Sequence, residues 1–203
     1  MTERRIEVAA LIGSLRRNAY NRGLLRTAML VRPDRVHLYE VPIHDLPFYS
    51  EDIERRGFPA AVRDFRVQLE RADALLVCTP EYSYSIPGVL KNALDWVSLV
   101  TSDGRAGIRP YEGLTVALAS ASDEKQGGHH VLDHLRTVFV RLGALVVSET
   151  CCVPDAANGF GDQHDLAHHR SQQAGRHVGR VVEMLLHPYH GSAAIGLVRP
   201  KPD

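Results

Sequence analysis

The sequence predicts an α/β protein built on a doubly wound, five-stranded parallel sheet with helices on both faces. Short β-rich runs alternate with amphipathic segments along the chain, which is the pattern of consecutive β-then-α units. Three of the β-rich runs are almost continuously apolar, as expected for parallel strands covered on both faces. The chain has 203 residues, 44% hydrophobic and 24% charged, an ordinary globular composition. We therefore expect a single domain over residues 1–190 and a C-terminal tail over residues 191–203.

The strands and helices are predicted from their periodicity, in the order of the chain. Strands are predicted at residues 6–12, 36–41, 74–78, 114–119 and 144–148. Helices are predicted at residues 21–30, 60–71, 87–100, 129–142 and 165–186. In the second helix, Val62, Phe65 and Leu69 recur at helical spacing and leave the charged residues on one solvated face. The third helix is expected to begin near Pro87, with Ser85 as its N-cap.

Composition and charge exclude several classes of function. Basic and acidic residues are equal in number, 24 of each, so the net charge favours neither nucleic acid nor a membrane as a partner. No apolar run approaches the roughly 18 residues of a membrane span, and the N-terminal apolar stretch is too short for a signal peptide. The three cysteines, two of them adjacent at Cys151 and Cys152, are too few for a disulfide framework. We therefore expect a cytoplasmic protein.

Histidines near the end of the chain have the spacing of metal ligands. His164, His168 and His169 fall on the last predicted helix, where His164 and His168 are one turn apart. Asp165 and Arg170 mark the same region as polar, and no further ligand is evident. A solvated, histidine-rich face is therefore the preferred interpretation, and we expect no metal site.

The loops after strands one, three and four are the places to look for chemistry. In doubly wound sheets, ligands bind beyond the carboxyl ends of the strands, at the point where the strand order reverses. The loop after strand one carries hydrogen-bond donors at Ser14, Arg16, Asn18 and Asn21, just before a helix begins. A helix N-terminus and such donors suit a phosphate group. In the alternative interpretation, Ser14 and Asn18 only cap the helix and form the turn.

The loop after strand three suits a planar ring. Tyr82 and Tyr84 follow a buried strand in a segment stiffened by two prolines, and Gly88 leaves room for a close approach to the backbone. In the alternative interpretation, both tyrosines close the end of the core. The helix at residues 87–100 is apolar over more than one face, including Trp96, which predicts a contact between copies of the chain in a homodimer or homotetramer.

Two of these loops resemble a known family. The first carries the sequence GSLRRNAYN and the second PEYSYSIPGVLKNALDW, both of which are similar to the NADPH-dependent FMN reductase family with its flavodoxin-like fold. A third region agrees, because strand four ends at Ser120 and is followed by Gly127 and Gly128. The resemblance spans roughly residues 6 to 150.

The resemblance implies roles for particular residues. It assigns Ser14, Arg16 and Asn21 to the FMN phosphate, Pro80, Glu81, Tyr82 and Ser83 to the ribityl chain and isoalloxazine edge, and Ser120, Gly127 and Gly128 to the other side of the ring. The chain departs from the family at three places. Ala19 stands where the family has Ser, with Asn18 as a substitute donor; Ser83 stands where the family has Asn; and residues 122–126 are more charged.

The implied activity is electron transfer from a nicotinamide through bound FMN. NADPH or NADH reduces the flavin, which passes the electrons to a small-molecule acceptor such as free flavin, a quinone, an azo compound or a metal oxyanion. The cofactor performs this chemistry, so no catalytic side chain is expected. Two alternatives remain: a non-enzymatic flavodoxin-like electron carrier, which zero net charge disfavours, and a flavin-less paralogue with a scaffold role.

Overall fold

Five parallel strands form one sheet in the computed structural model, which describes residues 4–98, 110–160 and 169–185. The strands are β1 (Ile6–Ile12), β2 (Val36–Glu40), β3 (Ala74–Cys78), β4 (Thr115–Ala121) and β5 (Leu145–Val153). Their order across the sheet is β2-β1-β3-β4-β5, and every neighbouring pair is parallel. This is the strand order of flavodoxin-like folds, so the predicted fold class is confirmed.

Helices connect the strands and cover the sheet. They are α1 (Tyr20–Val31), α2 (Glu51–Arg55), α3 (Ala60–Arg71), α4 (Gly88–Ser98), α5 (His129–Arg141), α6 (Ala156–Gly159) and α7 (His169–Met184). The sequence did not predict α2 and α6, which are too short to show a helical period. Parts of two predicted helices, residues 99–100, 165–168 and 186, and the predicted C-terminal tail lie outside the described residues.

Each face of the sheet has its own hydrophobic core, because successive residues of a strand point to opposite faces. On one face, Ala10 of β1 shares a core with Leu24 of α1 and Val178 of α7. On the other face, Leu11 shares a core with Phe65 of α3 and with residues of α4 and α5. No helix in the described part of the chain is both long and apolar enough to span a membrane.

The strand order reverses between β1 and β3. The chain leaves β1 towards β2 on one side and returns through β3 on the other, so the loops after β1 and β3 diverge from one point. The parallel ladder continues into both loops. Gly13 N–H donates to the Cys78 carbonyl at 2.9 Å, and Thr79 N–H donates to the Ala119 carbonyl at 3.0 Å. The first residue of each loop is therefore held by the sheet.

The apolar breadth of α4 is explained within a single chain. Leu90, Leu94 and Trp96 are at most 1% exposed. Trp96 packs edge-on against Tyr49 at 5.1 Å between ring centroids, and its Nε1–H donates to the Pro47 carbonyl at 2.6 Å. The loop after β2 thus covers the face of α4 for which the sequence predicted a contact with a second copy of the chain. A homo-oligomer remains a prediction, but this observation does not support it.

The third long helix begins within one residue of its predicted start near Pro87, but its predicted N-cap, Ser85, was wrong. Helix α4 begins at Gly88, and the Pro87 carbonyl accepts from Leu90 N–H and Lys91 N–H, both at 3.0 Å. Pro87 therefore occupies the N-cap position. Ser85 belongs instead to a tight hairpin that precedes the helix.

Candidate functional site

A cleft opens at the carboxyl ends of β1, β3 and β4, where the sequence predicted a site. Its volume is about 180 Å³. It is lined by Ser14, Arg16, Ala19, Tyr20, Asn21, Pro80, Glu81, Tyr82, Ala121, Ser122 and Asp123. The three loops expected to carry chemistry therefore meet at one place.

The predicted site residues divide into two groups. Those that line the cleft are Ser14, Arg16, Asn21, Pro80, Glu81 and Tyr82. Those that do not are Asn18, Ser83, Ser120, Gly127 and Gly128. Sequence reasoning did not name Tyr20 or Ala121 as lining residues. Ala121 was missed because β4 continues two residues beyond its predicted end.

One end of the cleft is rich in hydrogen-bond donors. Ser14 is 3% exposed, and its Oγ accepts from Arg16 N–H at 3.3 Å. The Arg16 guanidinium has no ion-pair partner among the described residues and lines the cleft. The first turn of α1 also lines the cleft, and its N-cap, Ala19, has no side-chain oxygen to accept from the first N–H groups of the helix. This donor set suits an anion such as a phosphate.

Asn21 joins two of the loops. It is 1% exposed; its Nδ2–H donates to the Ala121 carbonyl at 2.9 Å, and its Oδ1 accepts from Ala121 N–H at 2.9 Å. The side chain thus pairs with the backbone of β4 as a neighbouring strand would. Asn21 lines the cleft, but its amide is used as a brace between α1 and β4.

A two-residue hairpin follows β3 and carries Ser83 away from the cleft. Tyr82 and Ser85 pair through two backbone hydrogen bonds, Tyr82 N–H to Ser85 O at 3.1 Å and Ser85 N–H to Tyr82 O at 3.0 Å. Both central residues have left-handed backbone, with φ of 48° at Ser83 and 59° at Tyr84. Asn is one of the residues that tolerates this conformation. The Asn of the family pattern therefore suits a turn position.

Ser83→Asn and Ser83→Gly are expected to raise the free energy of unfolding by about 0.5–1 kcal/mol, part of the roughly 1–2 kcal/mol that left-handed backbone costs an ordinary residue. Ser83→Val should lower the free energy of unfolding, because β-branched side chains are disfavoured there. Urea denaturation of the three variants measures this order. Equal stability of all three variants would show that residue 83 does not have left-handed backbone.

The loop after β4 is shaped by close backbone packing. Ser120 is completely buried, and a Cβ placed on Gly128 would lie 2.0 Å from its Oγ. A Cβ on Gly127 would lie 2.9 Å from the backbone nitrogen of Pro154. Both glycines also have left-handed backbone, with φ of 62° and 83°. Gly127 and Gly128 therefore allow the loop to return to α5, and Ser120 supports it from below.

Polar and charged groups of this loop form hydrogen bonds within the chain. Asp123 Oδ1 accepts from Ala157 N–H at 2.7 Å, and the Ser122 carbonyl accepts from Ala156 N–H at 3.1 Å. These bonds attach the cleft wall to the first turn of α6. The Asp123 carboxylate thus lines the cleft while bonded to backbone.

The cysteines are poorly suited to redox or nucleophilic chemistry. Cys78 is completely buried, and burial raises the pKa of its thiol far above the usual range. Burial also raises the pKa of Cys151 to about 12. The pKa of Cys152 is raised by burial, with Asp133 and Glu81 adding to the effect. These thiols are therefore protonated at neutral pH.

The predicted histidine-rich face is only partly described. His164 and His168 lie outside the described residues, and of His169 only the helical backbone is described. Within the described ranges, no three His, Cys, Asp or Glu side chains come together in a way that could hold a metal ion.

Comparison with known proteins identifies the family of this chain. The family model described as NADPH-dependent FMN reductase matches residues 6–158. An NAD(P)H-dependent FMN reductase of Pseudomonas aeruginosa is 36% identical over 169 residues, covering 83% of this chain and 88% of the relative. A quinone reductase of Pseudomonas putida is 40% identical over 168 residues, covering 78% and 83%.

A solved structure has the same fold. The flavoenzyme NAD(P)H:(acceptor) oxidoreductase FerB of Paracoccus denitrificans superimposes with a TM-score of 0.78 at 24% identity, covering 90% of this chain and 98% of that one. The sequence comparison and the fold agree. The chain belongs to the NADPH-dependent FMN reductase family.

Proposed function

We propose that this protein is an FMN-dependent NAD(P)H oxidoreductase that passes electrons from a nicotinamide to a small acceptor. The observation that carries the proposal is the cleft at the strand-order reversal, which is lined both by the donors of the loop after β1 and by the Pro80–Tyr82 segment. Family membership supports the same conclusion.

The residues of the cleft suit both the phosphate and the ring of FMN. Ser14, Arg16 and the N-terminus of α1 would hold the phosphate, because all three supply donors and no carboxylate competes in the loop after β1. Pro80 and Tyr82 would lie along the ring, where a stiff loop and an aromatic side chain offer flat apolar contact. When bound, FMN supplies the capacity to accept a hydride and to pass electrons on. The chain itself binds and orients the reactants.

A quinone is the acceptor class that we propose. The relative from Pseudomonas putida is described as a quinone reductase and is 40% identical to this chain. We also propose that the protein is cytoplasmic, because its three cysteines do not suit a disulfide framework, and that it is a homo-oligomer, as the family resemblance implies. A flavodoxin-like carrier is disfavoured because the chain has 24 acidic and 24 basic residues, without the acidic excess that docking to redox partners requires.

The test is an absorbance spectrum of the purified protein, followed by NADPH oxidation with and without added FMN and a quinone. Bound flavin with quinone-dependent turnover supports the enzyme. Flavin without turnover supports the carrier. A preparation with no saturable FMN binding supports the flavin-less paralogue and contradicts the proposal.

Arg16→Ala is expected to weaken FMN binding by about 10- to 100-fold, the effect of losing a hydrogen bond to a charged group. Riboflavin, which has no phosphate, should bind the variant and the wild type equally. Arg17→Ala is the matched control, because Arg17 is also exposed but does not line the cleft. Fluorescence titration with both flavins makes the measurement. Equal losses for FMN and riboflavin would contradict phosphate binding by Arg16.

A further inference from the structure

The first turn of α5 is capped by a side chain from a distant loop. Its N-cap residue is Gly128, which has no side chain to accept from the free N–H groups of the turn. Glu81 of the loop after β3 takes this role, because its Oε2 accepts from Val131 N–H at 2.9 Å. The Glu81 side chain is only 7% exposed. A carboxylate at a helix N-terminus is also favoured by the helix dipole.

Glycine is required at the N-cap by the packing beneath it. A Cβ on Gly128 would lie 2.0 Å from Ser120 Oγ, and φ at Gly128 is +83°. The helix therefore cannot carry the Ser, Thr or Asp that usually caps such a turn. Because the loop after β4 leads directly into α5, the bond from Glu81 connects the loops that follow β3 and β4.

Three further contacts hold the loop after β3, including its hairpin, against the same helix. The Tyr84 ring meets the His130 ring edge-on at 5.2 Å between centroids. Ser85 Oγ lies 3.0 Å from His134 Nδ1. His130 Nδ1 also lies 3.3 Å from Glu81 Oε1. The hairpin has two left-handed residues and therefore depends on such external contacts to keep its conformation.

We propose that Glu81 is a positioning residue whose carboxylate fixes the ring-binding loop after β3 on α5. Glu81 lines the cleft together with its neighbours Pro80 and Tyr82, and its carboxylate accepts a hydrogen bond from α5. Loss of the carboxylate would release Pro80 and Tyr82 from the geometry that holds the flavin ring. This inference rests on the proposed function, since it assigns the segment to FMN.

The experiment compares Glu81→Ala, Glu81→Gln and Arg136→Ala. Glu81→Gln keeps an oxygen that can accept from Val131 N–H. Arg136 lies on α5 beyond its first turn and donates to the β5 carbonyls of Val147 and Ser148 at 2.9 and 3.2 Å, so its loss perturbs the same helix without touching the hairpin. Two quantities are measured for each variant: exchange of the Val131 amide hydrogen in flavin-free protein, and the dissociation constant for FMN.

Glu81→Ala is expected to speed Val131 exchange and to weaken FMN binding, each by about tenfold or more. Glu81→Gln should keep Val131 exchange and FMN affinity closer to the wild-type values than Glu81→Ala does. Arg136→Ala should change neither quantity by more than about twofold. Normal FMN binding by Glu81→Ala, or an equal loss in Arg136→Ala, overturns the proposal. If wild-type protein binds no FMN, the proposed function fails. In that case, the rate of Val131 amide exchange in flavin-free protein still tests whether Glu81 caps α5.

Discussion

Gly13→Ala is expected to lower the free energy of unfolding by about 3 kcal/mol, the upper part of the range for overpacked cores. A Cβ at this position would lie 2.0 Å from Thr79 Oγ1 and 2.7 Å from Thr79 Cβ. Leu90 Cδ2 would be 3.2 Å away. Thr79 and Leu90 are both completely buried, so neither side chain has room to move aside. The backbone between β1 and β3 must therefore separate.

The same substitution is expected to weaken FMN binding, because Gly13 directly precedes Ser14 and Thr79 directly precedes Pro80. Separating the two strands moves both ends of the cleft. Urea denaturation and FMN titration measure the two effects. Adding Thr79→Ala removes the 2.0 Å contact and should restore part of the stability.

Gly88→Ala is the matched control for this prediction. Gly88 is exposed at the start of α4, and no described atom lies within 4 Å of the position that its Cβ would take. The close approach that the sequence suggested at Gly88 is thus not made within the described chain. Alanine there should raise stability by about 0.5–1 kcal/mol. Similar stability of Gly13→Ala and Gly88→Ala would refute the steric argument.

The fold could be predicted where local pattern and burial agree. The bounds of β1, β3 and α3 match their predicted bounds, because each is a clear run with one period and abrupt ends. The end of β5 could not be predicted. Its register with β4 shifts between Val116 and Leu118, so that the strand resumes after an irregularity that has no sequence signature. The covering of Trp96 by the loop after β2 is likewise a long-range contact that periodicity does not report.

The structure brings the three predicted loops together at one cleft, and it gives two of their side chains contacts that the sequence did not predict. Sequence reasoning found the loops because parallel strands place their carboxyl ends together. It could not distinguish a polar side chain that faces a ligand from one that holds the loop. Asn21 and Glu81 both bond distant backbone, to Ala121 and Val131, which are 100 and 50 residues away in sequence. Only the folded arrangement distinguishes these two from Ser14 and Arg16.

Asn21→Ala is the second substitution with a large expected effect. It should lower the free energy of unfolding by about 3 kcal/mol, because the N–H and C=O groups of Ala121 both lose their partner in a buried site. Asn21→Asp keeps an acceptor for Ala121 N–H but sets a carboxylate oxygen against the Ala121 carbonyl. We expect it to be almost as unstable as Asn21→Ala. Urea denaturation measures both variants.

Asn92→Ala is the control that distinguishes a specific effect of Asn21 on FMN binding from an effect of lower stability alone. Asn92 makes the same two-way amide pairing on α4, accepting from Tyr49 N–H at 2.8 Å and donating to the Pro47 carbonyl at 2.9 Å, and it does not line the cleft. Its loss should destabilise the fold and leave the FMN affinity of the folded protein unchanged. Asn21→Ala should weaken FMN binding by about tenfold or more, even well below its melting temperature, because the phosphate loop is no longer tied to β4. An equal loss of FMN affinity in Asn92→Ala and Asn21→Ala would contradict the role of Asn21 as a brace, because Asn92 does not line the cleft.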